Sequence, residues 1–188
     1  MGDILSRLPG PLRRQKAIIV KFPPRRHLIV AAFIAALVFS LDIILKSFVI
    51  RTINLSGQKI VLIPGYLELM SVENQGTAFG LLHGVPVSIL LIIASIMVLI
   101  FIWLLLPYMH KIFGVFVGGI VIGGAIGNIY DRVNYGFVRD FIYFHIKDKF
   151  SWPVFNFADM CVVTGIILWM IILIITEVKT VKAEKIGE

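Results

Sequence analysis

Apolar and polar positions along this chain sort into four long apolar runs joined by more polar stretches. Val87 to Leu106 is the clearest run: it carries no charge, and only Ser88 and Ser95 are polar. Pro86 precedes it and Pro107 follows it, the places where proline punctuates a helix. Ile112 to Tyr130 is a second run, rich in glycine. Leu28 to Ile50 is apolar except for Asp42 and Lys46, and the last run ends at Thr176. A helix needs about 20 mostly apolar residues to cross hydrocarbon. The pattern therefore predicts spans at about 28–50, 87–106, 112–130 and 157–176. The first run is longer than the apolar core of a cleaved signal peptide, so it reads as a retained helix.

Two long connections remain, Arg51 to Val85 and Asp131 to Phe155. In the first, Lys59-Ile-Val-Leu-Ile, Pro64-Gly65 and Tyr66-Leu-Glu-Leu-Met read as two short strands about a turn, within a β segment at about 58–80. Sheet edges lack partners in hydrocarbon, so this segment belongs at the interface, on top of the helices. The expected fold class is an integral membrane protein, mainly α, with four transmembrane helices and a small extracytoplasmic β-cradle. A basic segment at 1–27 precedes a four-span domain at 28–176, and a short tail at 177–188 follows it.

Composition agrees with this class. Apolar residues make up 59 % of the 188 and charged residues 15 %, against roughly 45–50 % and about 25 % in soluble domains. That excludes a typical soluble globule, a disordered chain and a collagen-like one. A single cysteine, Cys161, excludes an internal disulfide and a multi-cysteine metal site. The four histidines are scattered without metal-ligand spacing, so no metal site is expected. The net charge of +7 raises the question of nucleic acid, but its location answers no. Seven Lys and Arg precede the first span, and a basic flank beside a span is the positive-inside signal. Four spans put both termini on one side. That side then holds eleven Lys and Arg against six on the other, which predicts cytoplasmic termini.

Ionisable residues near spans are costly and usually have a partner or a task. Asp42 and Lys46 are four apart with the acid first, the favourable order for a helical pair. They are either a structural ion pair or a device that orients other polar groups. Gly119, Gly123 and Gly127 form a small-xxx-small face that lets another helix come close. Just after it, Asn128 and Asp131 either tie helix ends together or serve a site, and Arg132 either binds a lipid phosphate or pairs with a carboxylate. Asp140 lies in the aromatic stretch Phe137 to Phe144, where poor hydration raises a carboxyl pKa unless Arg139 pairs with it. Asn156 reads as the N-cap of the last span, which puts Asp159 at N3 as its reciprocal cap. The helix dipole there favours negative charge.

Three blocks together resemble the lipoprotein signal peptidase family, the bacterial signal peptidase II enzymes. They are Asn74-Gln-Gly-Thr-Ala-Phe79; Gly127-Asn-Ile-Tyr-Asp-Arg132 followed by Gly136-Phe-Val-Arg-Asp-Phe141; and Phe155-Asn-Phe-Ala-Asp159. They occur in family order, each near the outer end of a predicted span. The first span keeps Asp42 and Lys46 of the family's Asp-Gln-x-x-Lys and carries Ile43 in place of Gln. The resemblance covers roughly Leu28 to Thr176. It implies an aspartic endopeptidase of the bacterial inner membrane that needs no metal or cofactor, with Asp140 and Asp159 catalytic. Asn74, Asn128, Asp131, Arg132 and Asn156 would support the site. The implied substrate is a diacylglyceryl-modified prolipoprotein, cut just before its lipidated Cys. The implied inhibitor is the cyclic peptide globomycin, and membrane lipids are the remaining partners. Two carboxylates around one water share a proton, so the pair can supply both a base and an acid. Asp159 would be the base and Asp140 the acid. The rivals are a small transporter, which needs acids along a path through the membrane core, and a scaffold in which the acids only cap and pair.

Overall fold

The computed structural model describes residues 22–56, 58–76 and 85–186. Most of the basic N-terminal segment, the Thr77-Ala78-Phe79 end of the first block and the last two residues lie outside them. The elements are α1 (Arg25–Ser56), β1 (Ile60–Ile63), β2 (Leu67–Asn74), α2 (Val87–Leu105), a 3-10 turn (Leu106–Tyr108), α3 (Ile112–Tyr135), β3 (Val138–Ile146), β4 (Phe150–Ser151) and α4 (Phe157–Ile186). Four stretches are long and apolar enough to cross a membrane: Arg25–Asn54, Val87–Tyr108, Ile112–Tyr135 and Phe157–Thr176.

Helix α3 is the centre of the bundle. More than half of its apolar window is buried, against about a fifth or less for the other three, which turn large apolar side chains outward as a lipid-facing surface needs. Glycine explains its position. A Cβ on Gly123 would sit 2.6 Å from the Ala35 carbonyl oxygen of α1, and one on Gly124 2.6 Å from the Ala158 carbonyl oxygen of α4. Only hydrogen fits at either contact, so α3 lies backbone to backbone between α1 and α4. On α1, the residues turned inward are Ala31, Ala35, Val38, Asp42, Lys46, Val49 and Ile53, one stripe at intervals of three and four. Asp42 and Lys46 thus occupy core positions.

The helices run further than the apolar pattern predicts. α1 continues past Ile50 to Ser56, and α3 past Tyr130 to Tyr135, where Gly136 closes it at φ +80° with its N–H on the Arg132 carbonyl. Asp131 and Arg132 are therefore helical, not the start of a connection. The helix ladder is indifferent to side-chain polarity and ends where a left-handed residue ends it. α4 likewise carries on beyond Thr176 to Ile186.

The expected two-strand segment is found as β1 and β2, joined through Gly65 at φ +78°. It belongs to a larger antiparallel sheet in the order β1-β2-β3-β4. The aromatic stretch after α3, read from sequence as interfacial, is the strand β3. It pairs with β2 so that Val72 faces Asp140 and Asn74 faces Val138. Lys59 and Glu68, 2.7 Å apart, tie the first two strands together. The Lys59 hydrogen bond also lowers the Glu68 pKa. The chain then returns to β3 just before the last helix: the Phe141 and Ile142 N–H groups donate to the Phe155 carbonyl at 3.0 and 2.8 Å. That clamp sets the start of α4 beside β3.

Candidate active site

Asp140 and Asp159 reach the same place from different elements. Asp140 points inward from β3 and is 1 % exposed. Asp159 stands in the first turn of α4 and is half-buried. Both line a cavity of about 850 Å³ together with Asn74, Asn128 and Arg132.

Asn156 joins them. Its Nδ2 donates to Asp140 Oδ1 at 2.6 Å. Its Oδ1 accepts the Asp159 backbone N–H at 2.9 Å, and its own N–H donates to Asp159 Oδ2 at 3.2 Å. The reciprocal cap expected from the spacing is present, with Asn and Asp in place of the usual Ser and Glu. Capping uses only one Asp159 oxygen; the other accepts from Asn128 Nδ2 at 2.7 Å. Asn74 Nδ2 completes Asp140, donating to Oδ2 at 2.9 Å. The Asn74 Oδ1 accepts the Gly76 N–H at 3.0 Å, folding the chain after β2 over the cavity. Arg132 Nη2 donates to the Gly76 carbonyl at 3.0 Å from the other side.

Burial removes water from Asp140, and the negative charge of Asp159 adds to that; together they lift its pKa from 3.8 to about 7. The Asn74 and Asn156 donors and the more distant Lys46 oppose the rise.

Beneath the carboxylates lies a row of four charged groups of alternating sign. Lys46 Nζ is 2.7 Å from Asp42 Oδ2 and 3.1 Å from Asp131 Oδ2, with all three side chains fully buried. Asp131 Oδ1 then takes Arg139 Nη2 at 2.8 Å and Nε at 3.1 Å. The Arg139 guanidinium stacks on the Tyr135 ring at 4.4 Å. The row touches the site twice. Lys46 Nζ donates to Asn128 Oδ1 at 3.2 Å, and Asp42 Oδ1 accepts the Ala158 N–H at the start of α4 at 2.9 Å. The Asp42–Lys46 pair is thus an ion pair and a fixture for other groups at once.

All nine residues singled out from sequence, Asp42, Lys46, Asn74, Asn128, Asp131, Arg132, Asp140, Asn156 and Asp159, fall within this network. One pairing is corrected. Arg139 does not neutralise Asp140; neighbours on a strand point to opposite faces, and Arg139 turns to Asp131. Its part in the charged row was missed; recognising Phe137 to Phe144 as a strand would have shown only that Arg139 turns away from Asp140. The apolar cavity wall of Trp152, Val162 and Val163 was missed too; it has no motif to give it away.

Comparison with known proteins gives a consistent result. The family described as signal peptidase (SPase) II matches residues 34–175. A lipoprotein signal peptidase of Clostridium tetani is 37 % identical over 138 residues, 73 % of this chain and 86 % of that one. One of Enterococcus faecalis is 37 % identical over 164 residues, covering 87 % of this chain and 96 % of its own. Among solved structures, a bacterial membrane enzyme determined by the in meso method at 2.3 Å superposes with a TM-score of 0.61 at 28 % identity. That match covers 82 % of this chain and 90 % of the other.

Proposed function

This chain belongs to the signal peptidase II family, and from that premise we propose that it is an aspartic endopeptidase acting in the bacterial inner membrane. It removes signal peptides from diacylglyceryl-modified prolipoproteins, cutting just before the lipidated Cys. Its termini are cytoplasmic and its sheet lies on the outer side. The observation that carries the mechanism is that Asp140 and Asp159 line one cavity and are held by the same Asn156.

The two carboxylates hold one proton between them, as like charges at close quarters do. Asp140 is the protonated partner, in keeping with a pKa near neutrality imposed by burial and by Asp159. Asp159, in the first turn of α4 where the helix dipole favours negative charge, is the ionised one. A water in the cavity gives its proton to Asp159 and attacks the scissile carbonyl carbon, while Asp140 hydrogen-bonds the carbonyl oxygen. The tetrahedral intermediate collapses as the Cys nitrogen takes a proton from the pair and the C–N bond breaks. One water is consumed, a new carboxyl and a new amine leave, and the dyad regains a single proton. Asn74, Asn128 and Asn156 hold the carboxylates in place. Asp42, Lys46, Asp131 and Arg132 hold the asparagines and the loop. No metal or cofactor enters this sequence of steps. Globomycin, a cyclic peptide, would compete for the same cavity.

The test is release of the signal peptide from a diacylglyceryl-modified prolipoprotein by the purified protein, with and without globomycin. Asp140→Asn and Asp159→Asn should each lower the rate by about 100-fold or more, the scale of a lost general acid or base, while the folded protein still binds substrate. Either variant cutting at the wild-type rate excludes the two-aspartate mechanism.

A further inference from the structure

We propose that Arg139 is a positioning residue for the carboxylate pair: acting through Asp131, it fixes the start of β3, and with it Asp140, and it balances the charge buried beneath the two acids. The inference rests on the proposed two-aspartate activity and adds a residue that touches neither carboxylate.

Asp131 and Arg139 stand on either side of the corner between α3 and β3. Gly136 ends the helix, and β3 starts at Val138. Across that corner the fully buried Asp131 accepts from Arg139 three times. Its Oδ2 takes the backbone N–H at 3.0 Å, and its Oδ1 takes Nη2 at 2.8 Å and Nε at 3.1 Å. The held N–H belongs to the residue immediately before Asp140, one Cα–Cα step of about 3.8 Å away. The rest of the guanidinium is held as well. It lies over the Tyr135 ring at 4.4 Å, and Nη1 donates to Ser47 Oγ of α1 at 3.5 Å. The strand register puts Glu73 of β2 opposite Arg139, an ordinary cross-strand partner of opposite charge. Arg139 turns instead to Asp131 and gives up most of its water, with 11 % of the side chain exposed.

Charge supplies the second half of the argument. Asp42, Lys46, Asp131 and Arg139 are two acids and two bases, so the row as a whole is neutral. Without Arg139 it carries one negative charge in excess. Lys46 is then the sole cation on Asp131, and the stronger pull of Asp131 weakens its hold on Asn128 Oδ1. Asp140 feels the same change. Burial and the Asp159 charge raise its pKa to about 7, and Lys46 opposes them. Arg132 of α3 and Glu73 of β2 are the other charged groups that line its cavity. A further negative charge beneath this set makes Asp140 hold its proton to higher pH.

Substitution at this position keeps the backbone N–H, so β3 retains one tie to Asp131 while the side chain is varied. Arg139→Met removes the charge and the planar edge. Arg139→Lys restores the charge without the edge that gives two N–H groups to one oxygen. Signal-peptide release from a diacylglyceryl-modified prolipoprotein is followed against pH. Arg139→Met should lower kcat about tenfold with KM held within about twofold. It should also move the fall of activity near neutrality upward by about half a pH unit, the scale of one net charge felt through protein. Arg139→Lys should return that fall to its wild-type pH, with kcat between the other two. A role confined to folding would lower the thermal midpoint of Arg139→Met and leave kcat and the pH limit of the folded protein unchanged, and that result overturns the proposal. So does an Arg139→Lys protein with the pH limit of Arg139→Met. If the methionine variant does not fold, Arg139→Gln, uncharged but still a donor, takes its place in the same comparison. Infrared titration of the Asp140 carboxyl, assigned by its loss in Asp140→Asn, reads the same shift without substrate. Failure of the wild-type protein to release a signal peptide would therefore refute the activity, and an unshifted Asp140 carboxyl in Arg139→Met would refute the role of Arg139.

Discussion

Asn156 contributes three groups to the candidate site, and none is charged. Its amide nitrogen serves Asp140 and Asn128, its amide oxygen caps the Asp159 N–H, and its backbone N–H returns to Asp159. One neutral side chain thereby fixes two acids without neutralising either, as the proposed sharing of one proton requires. The pH response follows from where that proton resides. Burial, then the Asp159 charge, raises the Asp140 pKa to about 7, so cleavage that needs its protonated form falls as pH rises through about 7. Stability moves the same way. Between the unfolded value of 3.8 and the folded value of about 7, the folded protein binds a proton that the unfolded chain has lost. The contribution is complete below pH about 4 and disappears as pH climbs to about 7. The thermal midpoint of the wild-type protein should therefore drop across that window relative to Asp140→Asn. A cleavage rate that keeps rising above pH 7 would contradict the assignment. The Asn156–Asp159 cap was legible because its partners are three residues apart. The Asn74–Asp140 contact was not, because it spans 66 positions and depends on how two strands align.

Between elements, the charged row does the joining. Asp42 and Lys46 come from α1, Asp131 from α3 and Arg139 from β3, while the Ala158 N–H brings in α4. Breaking a buried pair from one side leaves an uncompensated charge and costs about 3–5 kcal/mol. Lys46→Met should therefore lower the thermal midpoint sharply. The double variant Asp42→Asn with Lys46→Met should regain much of that stability, since an asparagine oxygen still accepts the Ala158 N–H. Signal-peptide release should stay low in both, because Asn128 has lost the ammonium that holds it; recovery of full activity in the double variant would show that the row is structural alone. At this scale the sequence was readable where a pattern is local. The four spans follow from long, mostly apolar runs, and β1 and β2 from a Pro-Gly turn between apolar segments. β3 escaped because its aromatic residues suit a membrane interface and a strand equally well, and only pairing with β2 decides. The ends of α1 and α3 escaped because their last turns are polar, and polarity does not stop a helix.

For the whole molecule, the arrangement of charge implies a direction across the membrane. Lys111 lies in the short connection between α2 and α3, and Lys147 lies in the turn between β3 and β4. With cytoplasmic termini, Lys147→Cys should react with a membrane-impermeant thiol reagent on intact cells, and Lys111→Cys only after the membrane is opened. The native Cys161, within the last span, supplies the background for both. The opposite labelling pattern would invert the topology.

The order of the chain adds a last consequence to the Asn156 clamp. Asp140 is synthesised before the final span, but Asp159 and Asn156 arrive only with it. A partly made chain thus carries one half of the dyad and no bridge to the other. On the proposed two-aspartate mechanism, hydrolytic capacity is born only when the last segment enters the bilayer, and the nascent chain stays inert until it is whole.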